Sequence, residues 1–430
     1  MHKEREIDVA YLARVEGEGA MYLKLVDDQV ADLKFKIFEP PRFFEALLQG
    51  RRFSEAPDIT ARICGICPIA YQTSSCNAME DAAGVSLPDA LHDLRRLIYC
   101  GEWIESHGLH IYFLHAPDFL GYVSGIAMAA EFPERVAAGL RLKKVGNDLM
   151  ALLGGREIHP INYRVGGFYR VPKRSELEAL EQDLRWGLEA ARDTVRWVSG
   201  FPFPQFERDY EFVALHTPDE YAIHRGRIVS NRGLDISPRE WPDVFEEEHV
   251  EWSNALHARV KGRGAYHVGP LARYSLNYEQ LTPLAREEAE RAGLGATCRN
   301  PFQSIVVRAV ELVVAFEEAL RIIDGYERPS QPAVPVEPRN ATGHGVSEAP
   351  RGLLYHRYEI DGAGHIQSAQ IVPPTSQNQL SIEEDLKRYV EGRAQLPDDE
   401  LQSQLEQAIR NYDPCISCAT HFLDLEVDRA

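Results

Sequence analysis

Two pairs of cysteines stand at opposite ends of the chain. Cys64 and Cys67 lie in "ARICGICPIAY", and Cys415 and Cys418 lie in "DPCISCATH". A C-x-x-C pair can form a redox disulfide or provide half of a four-thiolate metal site. A zinc ribbon closes its two knuckles over roughly 15–20 residues, whereas here almost the whole chain intervenes. If the pairs meet, they meet in the core of the finished fold. Soft thiolates suit zinc, iron–sulfur clusters and other soft or borderline metals, and spacing alone leaves structural zinc and a catalytic or redox metal both open. Cys76, Cys100 and Cys298 complete the seven cysteines as isolated residues, which reads as small buried hydrophobes.

The elements that must carry these pairs follow from the patterning. Residues 6–38 alternate apolar and polar positions around Gly17, Gly19 and the turn-like Asp27-Asp28, the signature of strands. From about Arg42 apolar residues recur at spacings of three and four, predicting helices in 43–51, 67–84, 91–115, 134–154, 174–199 and 301–325. Prolines at 329, 332, 335 and 338 then mark an extended segment. A second β-rich stretch, 353–375, reads as a hairpin turning at Asp361-Gly362, and helices near 381–393 and 397–411 lead to the last cysteine pair. The expected fold is mainly α with β-rich ends (α+β). It has an N-terminal β segment (1–40), a helical bundle (41–327), a C-terminal β/α segment closing the site (328–421) and a short tail (422–430). We read 5–421 as one family domain.

The totals narrow the class. A charge of −19 over 430 residues argues against nonspecific binding to nucleic acid or to an anionic membrane. No run of about 18 apolar residues predicts a membrane span. The opening "MHKEREIDVA" has no apolar stretch of a secretory signal, and cysteines not spaced as a disulfide framework point to the cytoplasm.

The groups around the cysteines go beyond what structural zinc needs. "RICGIC" (62–67) and "DPCISCATH" (413–421) resemble the two signatures of the large subunit of nickel–iron hydrogenases. "ARVEG" (13–17), "FFEALLQGR" (43–51), "SHGLHIYFLHAPD" (106–118), "EAPRG" (348–352) and "VPPTSQN" (372–378) resemble further segments of that family. The resemblance implies that Cys64 and Cys415 are terminal nickel ligands. It implies that Cys67 and Cys418 bridge nickel to an iron carrying carbon monoxide and cyanide. Arg351 would stand over the metals, with Asp413 hydrogen-bonded to it, and Glu16 would relay protons from a cysteine thiolate. Thr375 or the backbone beside it would contact a cyanide nitrogen, with Pro350 counted beside it as cofactor-binding. Glu45 and His421 would hold a separate magnesium or iron ion. His107, His110 and His159 match family positions but fit satisfied core histidines equally well.

Glu18, Tyr71 and Ser106 depart from residues common elsewhere in the family, two histidines and an aspartate. With the missing signal they resemble the cytoplasmic, NAD(P)-linked bidirectional branch, the sulfhydrogenases. With three isolated cysteines left, no iron–sulfur cluster is expected in this chain. The resemblance therefore implies an iron–sulfur small subunit, flavin- and NAD(P)-binding and further iron–sulfur subunits, nickel-insertion factors, and a maturation endopeptidase that cuts after His421. A complex I-type subunit of the same fold, lacking such cysteine pairs, and a four-cysteine zinc protein are the alternatives.

Overall fold

The computed structural model describes residues 4–420. The chain opens with an antiparallel meander of β1 (Glu4–Val9), β2 (Gly19–Val26) and β3 (Gln29–Ile37). The register pairs Val9 with Met21 and Gly19 with Ile37, so Leu23, Leu25, Leu33 and Phe35 are turned to one buried face. That face packs on two C-terminal helices, α6 (Pro374–Val390) and α7 (Asp398–Arg410), through Ile382, Leu386, Leu401 and Leu405.

Between them runs the helical body, with α1 (Pro68–Ala83), α2 (Asp89–Leu109), α3 (Pro133–Gly154), α4 (Glu181–Val198) and α5 (Ser304–Asp324). These seven are the helices of thirteen residues or more among the described residues. Nearly every residue of α5 is buried, as its apolar sequence leads one to expect. The helix expected over 174–199 is broken at Ala179-Leu180 into Arg174–Glu178 and α4. The stretch after α2 widens into a π-helical turn, His110–His115, before Pro117.

Seven short strands lie inside what patterning reads as bundle: β4 (Tyr163–Arg164), β5 (Gly167–Phe168), β6 (Val213–His216), β7 (Arg227–Ser230), β8 (Asp235–Ile236), β9 (Phe245–Glu248) and β10 (His257–Val260). None exceeds four residues, too few for alternation to register. The C-terminal sheet is β11 (Ala341–Ala349), β12 (Gly352–Ile360) and β13 (Ile366–Val372), all antiparallel. β12 and β13 form the expected hairpin, whereas β11 is an additional strand. β11 lies directly on α1: a Cβ at Gly343 would sit 1.9 Å from the Ala78 carbonyl, and one at Gly345 2.0 Å from that of Ser74. Only glycine allows strand and helix backbones this close. No described helix is long and apolar enough to cross a membrane.

Candidate metal centre

Cys64 ends a short helical turn and Cys67 is the N-cap of α1. The backbone N–H groups of Ile66 and Cys67 both donate to the Cys64 sulfur at 3.3 Å. Pro68 starts α1 where its missing N–H costs nothing. The next N–H groups, of Ile69 and Ala70, donate to Glu102 of α2 at 2.6 and 3.2 Å. A fully buried glutamate thus caps the helix that follows the cysteine knuckle.

The second pair follows α7. Asp413 takes a left-handed backbone, φ 51°, and the chain then runs beside the β1–β2 loop, where Ile416 N–H donates to the Glu16 carbonyl at 2.9 Å. Gly17, φ 87°, permits this approach, since a Cβ there would meet Glu39 at 2.6 Å and Ile416 at 2.8 Å. Arg42 ties the two pairs together, donating to the Ile63 carbonyl at 2.8 Å and to that of Ser417.

The four sulfurs converge. All ligand atoms of Cys64, Cys67, Cys415 and Cys418 lie within 4.8 Å of one another. Cys64 and Cys415 are 3.6 Å apart, Cys67 and Cys418 3.9 Å, and Cys415 and Cys418 2.7 Å, all buried and none in a disulfide. Hydrogen bonds from the other three thiols, helped by Arg351, pull the Cys64 thiol well below its ordinary value. Burial and the neighbouring sulfurs hold Cys415 well above it. Four sulfurs this close cannot all be thiolates on their own, so a soft cation is what stabilises the full set of negative charges. This donor set fits nickel and iron.

Around the cage stand the other expected residues. Cys415 Sγ is 3.0 Å from Glu16 Oε2, which also accepts from Ser417 N–H at 3.0 Å. Ser417 Oγ donates onward to Glu39 at 2.9 Å. Thr375, in the first turn of α6, accepts from Cys415 N–H at 2.9 Å. Arg351 occupies the two-residue tip of the β11–β12 hairpin with Pro350, since Ala349 pairs with Gly352. It donates to the Asp413 carbonyl at 2.7 Å and to its carboxylate at 3.1 Å. Burial pulls the guanidinium down, but Asp413 and the cysteine sulfurs outweigh it and raise it well above its usual value. Arg351 is therefore a permanent buried cation beside the sulfurs.

Glu45 is set apart, on the short helix Phe44–Leu48. Its carboxylate accepts from Ile371 N–H at 2.7 Å, and burial, with Glu247 adding, pushes its pKa up to about 8. Glu247 is itself pushed up to about 7 by burial. Two half-buried carboxyls that resist ionising are donors suited to a hard cation. His421 and the tail 422–430 lie outside the described residues. His107, His110 and His159 each make a hydrogen bond, to Glu311, the Arg410 carbonyl and the Ala61 carbonyl, at 2.9, 2.9 and 2.7 Å. Tyr71 and Ser106 are buried, and Glu18 N–H donates to Glu39 at 3.2 Å. Patterning missed Glu102, Arg42 and Glu247. Each is a single residue without a local motif, and only their partners reveal them.

The chain matches the nickel-dependent hydrogenase family over residues 42–138 and 247–421. It belongs to that family. Sulfhydrogenase 1 subunit alpha of Pyrococcus furiosus is 34% identical over 97% of this chain and 98% of its own length. The NAD-reducing hydrogenase HoxS subunit beta of Cupriavidus necator is 29% identical over 97% and 95%. An NAD+-reducing [NiFe]-hydrogenase crystal structure, in the H2-reduced state, superposes with a TM-score of 0.88 at 25% identity, covering 97% of this chain and 99% of that one. The chain is thus a nickel-dependent hydrogenase large subunit with a helix-rich mixed α/β fold and a four-cysteine metal-binding site. The zinc and complex I-type alternatives fall away. These relatives are named as subunits of multi-subunit hydrogenases.

Proposed function

We propose that the chain catalyses the reversible heterolytic cleavage of dihydrogen at a nickel–iron centre and passes the electrons to an iron–sulfur small subunit. The observation that carries the reading is the junction at Cys415, a buried sulfur of the four-sulfur cage 3.0 Å from the Glu16 carboxylate. All four cysteines would hold nickel, and Cys67 and Cys418 also an iron with carbon monoxide and cyanide ligands. When bound, these metals supply a soft Lewis acid and the capacity for a two-electron change.

The rest is the work of the chain. Cys415 Sγ takes the proton, and Glu16 Oε2 receives it within hydrogen-bond reach. Ser417 holds both carboxylates in place, its N–H donating to Glu16 and its Oγ to Glu39, which is partly exposed. Arg351, its Nη1 without a hydrogen-bond partner among the described residues, holds a fixed positive charge against the sulfurs and orients the substrate. Asp413 fixes that guanidinium, Thr375 fixes the backbone of Cys415, and Thr375 and Pro350 stand as cofactor contacts. Glu45, with His421, would hold magnesium or iron, and Glu247 would serve the same ion.

A cytoplasmic complex is in keeping with this reading, with NAD(P) as acceptor through flavin- and NAD(P)-binding and further iron–sulfur subunits. The names of the NAD-reducing and sulfhydrogenase relatives support it. Nickel-insertion factors and an endopeptidase cutting after His421 complete it, and the intact mass of the nickel-loaded chain checks the cut. The deciding experiment is elemental analysis of the purified complex, with infrared spectra in the carbon monoxide and cyanide region and hydrogen-driven reduction of NAD, NADP, ferredoxin and polysulfide. Nickel, iron and diatomic bands are expected. Zinc alone, without those bands, would overturn the proposal.

A further inference from the structure

Behind the hairpin tip lies a buried charged cluster that the reaction described above does not use. Arg273, on the short helix Pro270–Leu276, is fully buried and makes five hydrogen bonds. Its Nε donates to Glu311 Oε1 at 2.9 Å and one terminal nitrogen to Glu311 Oε2 at 2.8 Å. The remaining bonds go to Glu348 Oε2 at 3.1 Å and to the carbonyls of Ala349 at 2.6 Å and Pro350 at 2.8 Å. A guanidinium has five N–H donors, so every one is used. Three of the five grip residues 348–350, immediately before Arg351.

The surroundings fix the arginine in turn. Glu311, on α5, is also held by His107 at 2.9 Å and by the Tyr221 hydroxyl at 2.8 Å. The Trp103 ring lies 4.5 Å from the guanidinium carbon, and its indole N–H donates to the Glu348 carbonyl at 3.0 Å. Gly269 brings the backbone against the far side of the tip, where a Cβ would stand 2.7 Å from the Arg351 carbonyl. The end of this hairpin is thus held by Arg273 and Trp103 as well as by its own strands.

We infer that Arg273 is a positioning residue for hydrogen cleavage: by clamping the carbonyls of Ala349 and Pro350 it sets where Arg351 places its guanidinium. The inference rests on the role proposed for Arg351. Lysine at 273 keeps the charge but has three donors and no planar fork, so it cannot hold Glu311 and the hairpin tip together.

The test is a double-mutant cycle in the purified, nickel-loaded complex. Arg273→Lys should retain nickel and lower kcat for hydrogen oxidation by about 10–100-fold, with KM for hydrogen little changed. In an Arg351→Lys background the same substitution should cost less than about threefold, because nothing remains to be positioned. Damage to the core alone would instead give the same fold-loss in both backgrounds, and that result overturns the inference while leaving the role of Arg351 intact. An unaltered kcat in Arg273→Lys overturns it too. If Arg351→Lys alone leaves turnover unchanged, the role of Arg351 falls and the clamp with it. Should Arg273→Lys fail to assemble, Trp103→Phe removes the indole hydrogen bond to Glu348 and shrinks the ring beside Arg273. It should slow turnover about threefold, again only where Arg351 is present, and an equal loss in both backgrounds overturns the clamp.

Discussion

At the scale of single residues, the chemistry is divided among groups that no neighbour can replace. Cys64→Ala or Cys415→Ala removes one of four soft donors from a buried site, so nickel content and hydrogen uptake should both fall to background in the purified complex. Glu16→Gln keeps the hydrogen bond to Ser417 N–H but cannot carry a proton. Nickel should be retained while turnover drops by about 100-fold or more, and full activity in that variant would remove Glu16 from the relay. These residues are legible because each sits in a short motif that resembles one of the family's: R-V-E-G, R-x-C-G-x-C and D-P-C-x-x-C. Arg273, Glu311 and Glu102 are not. An arginine or glutamate in an amphipathic stretch reads as a solvated face, and only the finished fold shows Glu311 and Arg273 fully buried against each other.

At the scale of elements, the cysteine knuckle is only as fixed as α1, and α1 is fixed by Glu102 at its start and by β11 along its length. β11, "ATGHGVSEA", was not legible as a strand, because its glycines lower strand propensity. Those glycines are what the contact demands. The sequence feature that hides the strand is thus the one that lets it dock. Gly345→Ala would drive a Cβ to 2.0 Å from the Ser74 carbonyl and 2.5 Å from the Ala78 nitrogen. Both are backbone atoms that cannot rotate away, so a loss of about 1–3 kcal/mol or more is expected. It should appear as a lowered melting temperature together with reduced nickel retention. A melting temperature equal to that of the parent would mean that helix and strand can separate without cost. The long helices were legible because three- and four-residue spacing persists over many turns, whereas the four-residue strands of 213–260 offer too few positions for any period to show.

At the scale of the whole molecule, the same burial that secures the site makes the fold sensitive to acid. Burial lowers the pKa of His92, His107 and His257 to about 4 and that of His115 and His267 to about 3, from an ordinary value of about 6.5. The folded-state values lie below the unfolded ones, so between them the unfolded chain binds more protons. The contribution of these histidines to stability is therefore fully present above pH 6.5 and is lost as pH falls toward 3–4. Glu45, Glu247 and Glu348 slope the other way, since burial pushes them up to about 8, 7 and 7. His267 is the cleanest reporter. Its ring packs on those of Tyr210, Phe212 and Tyr412 at 4.9, 5.5 and 5.0 Å, an aromatic box in which an imidazolium gains no carboxylate. His267→Phe keeps the packing and removes the titration. Each unit of pKa difference corresponds to about 1.4 kcal/mol, so the variant should lose less stability than the parent between pH 6.5 and 4. Circular dichroism followed during acid titration should place its unfolding midpoint at lower pH. A midpoint equal to or above that of the parent would mean that His267 remains charged in the folded protein.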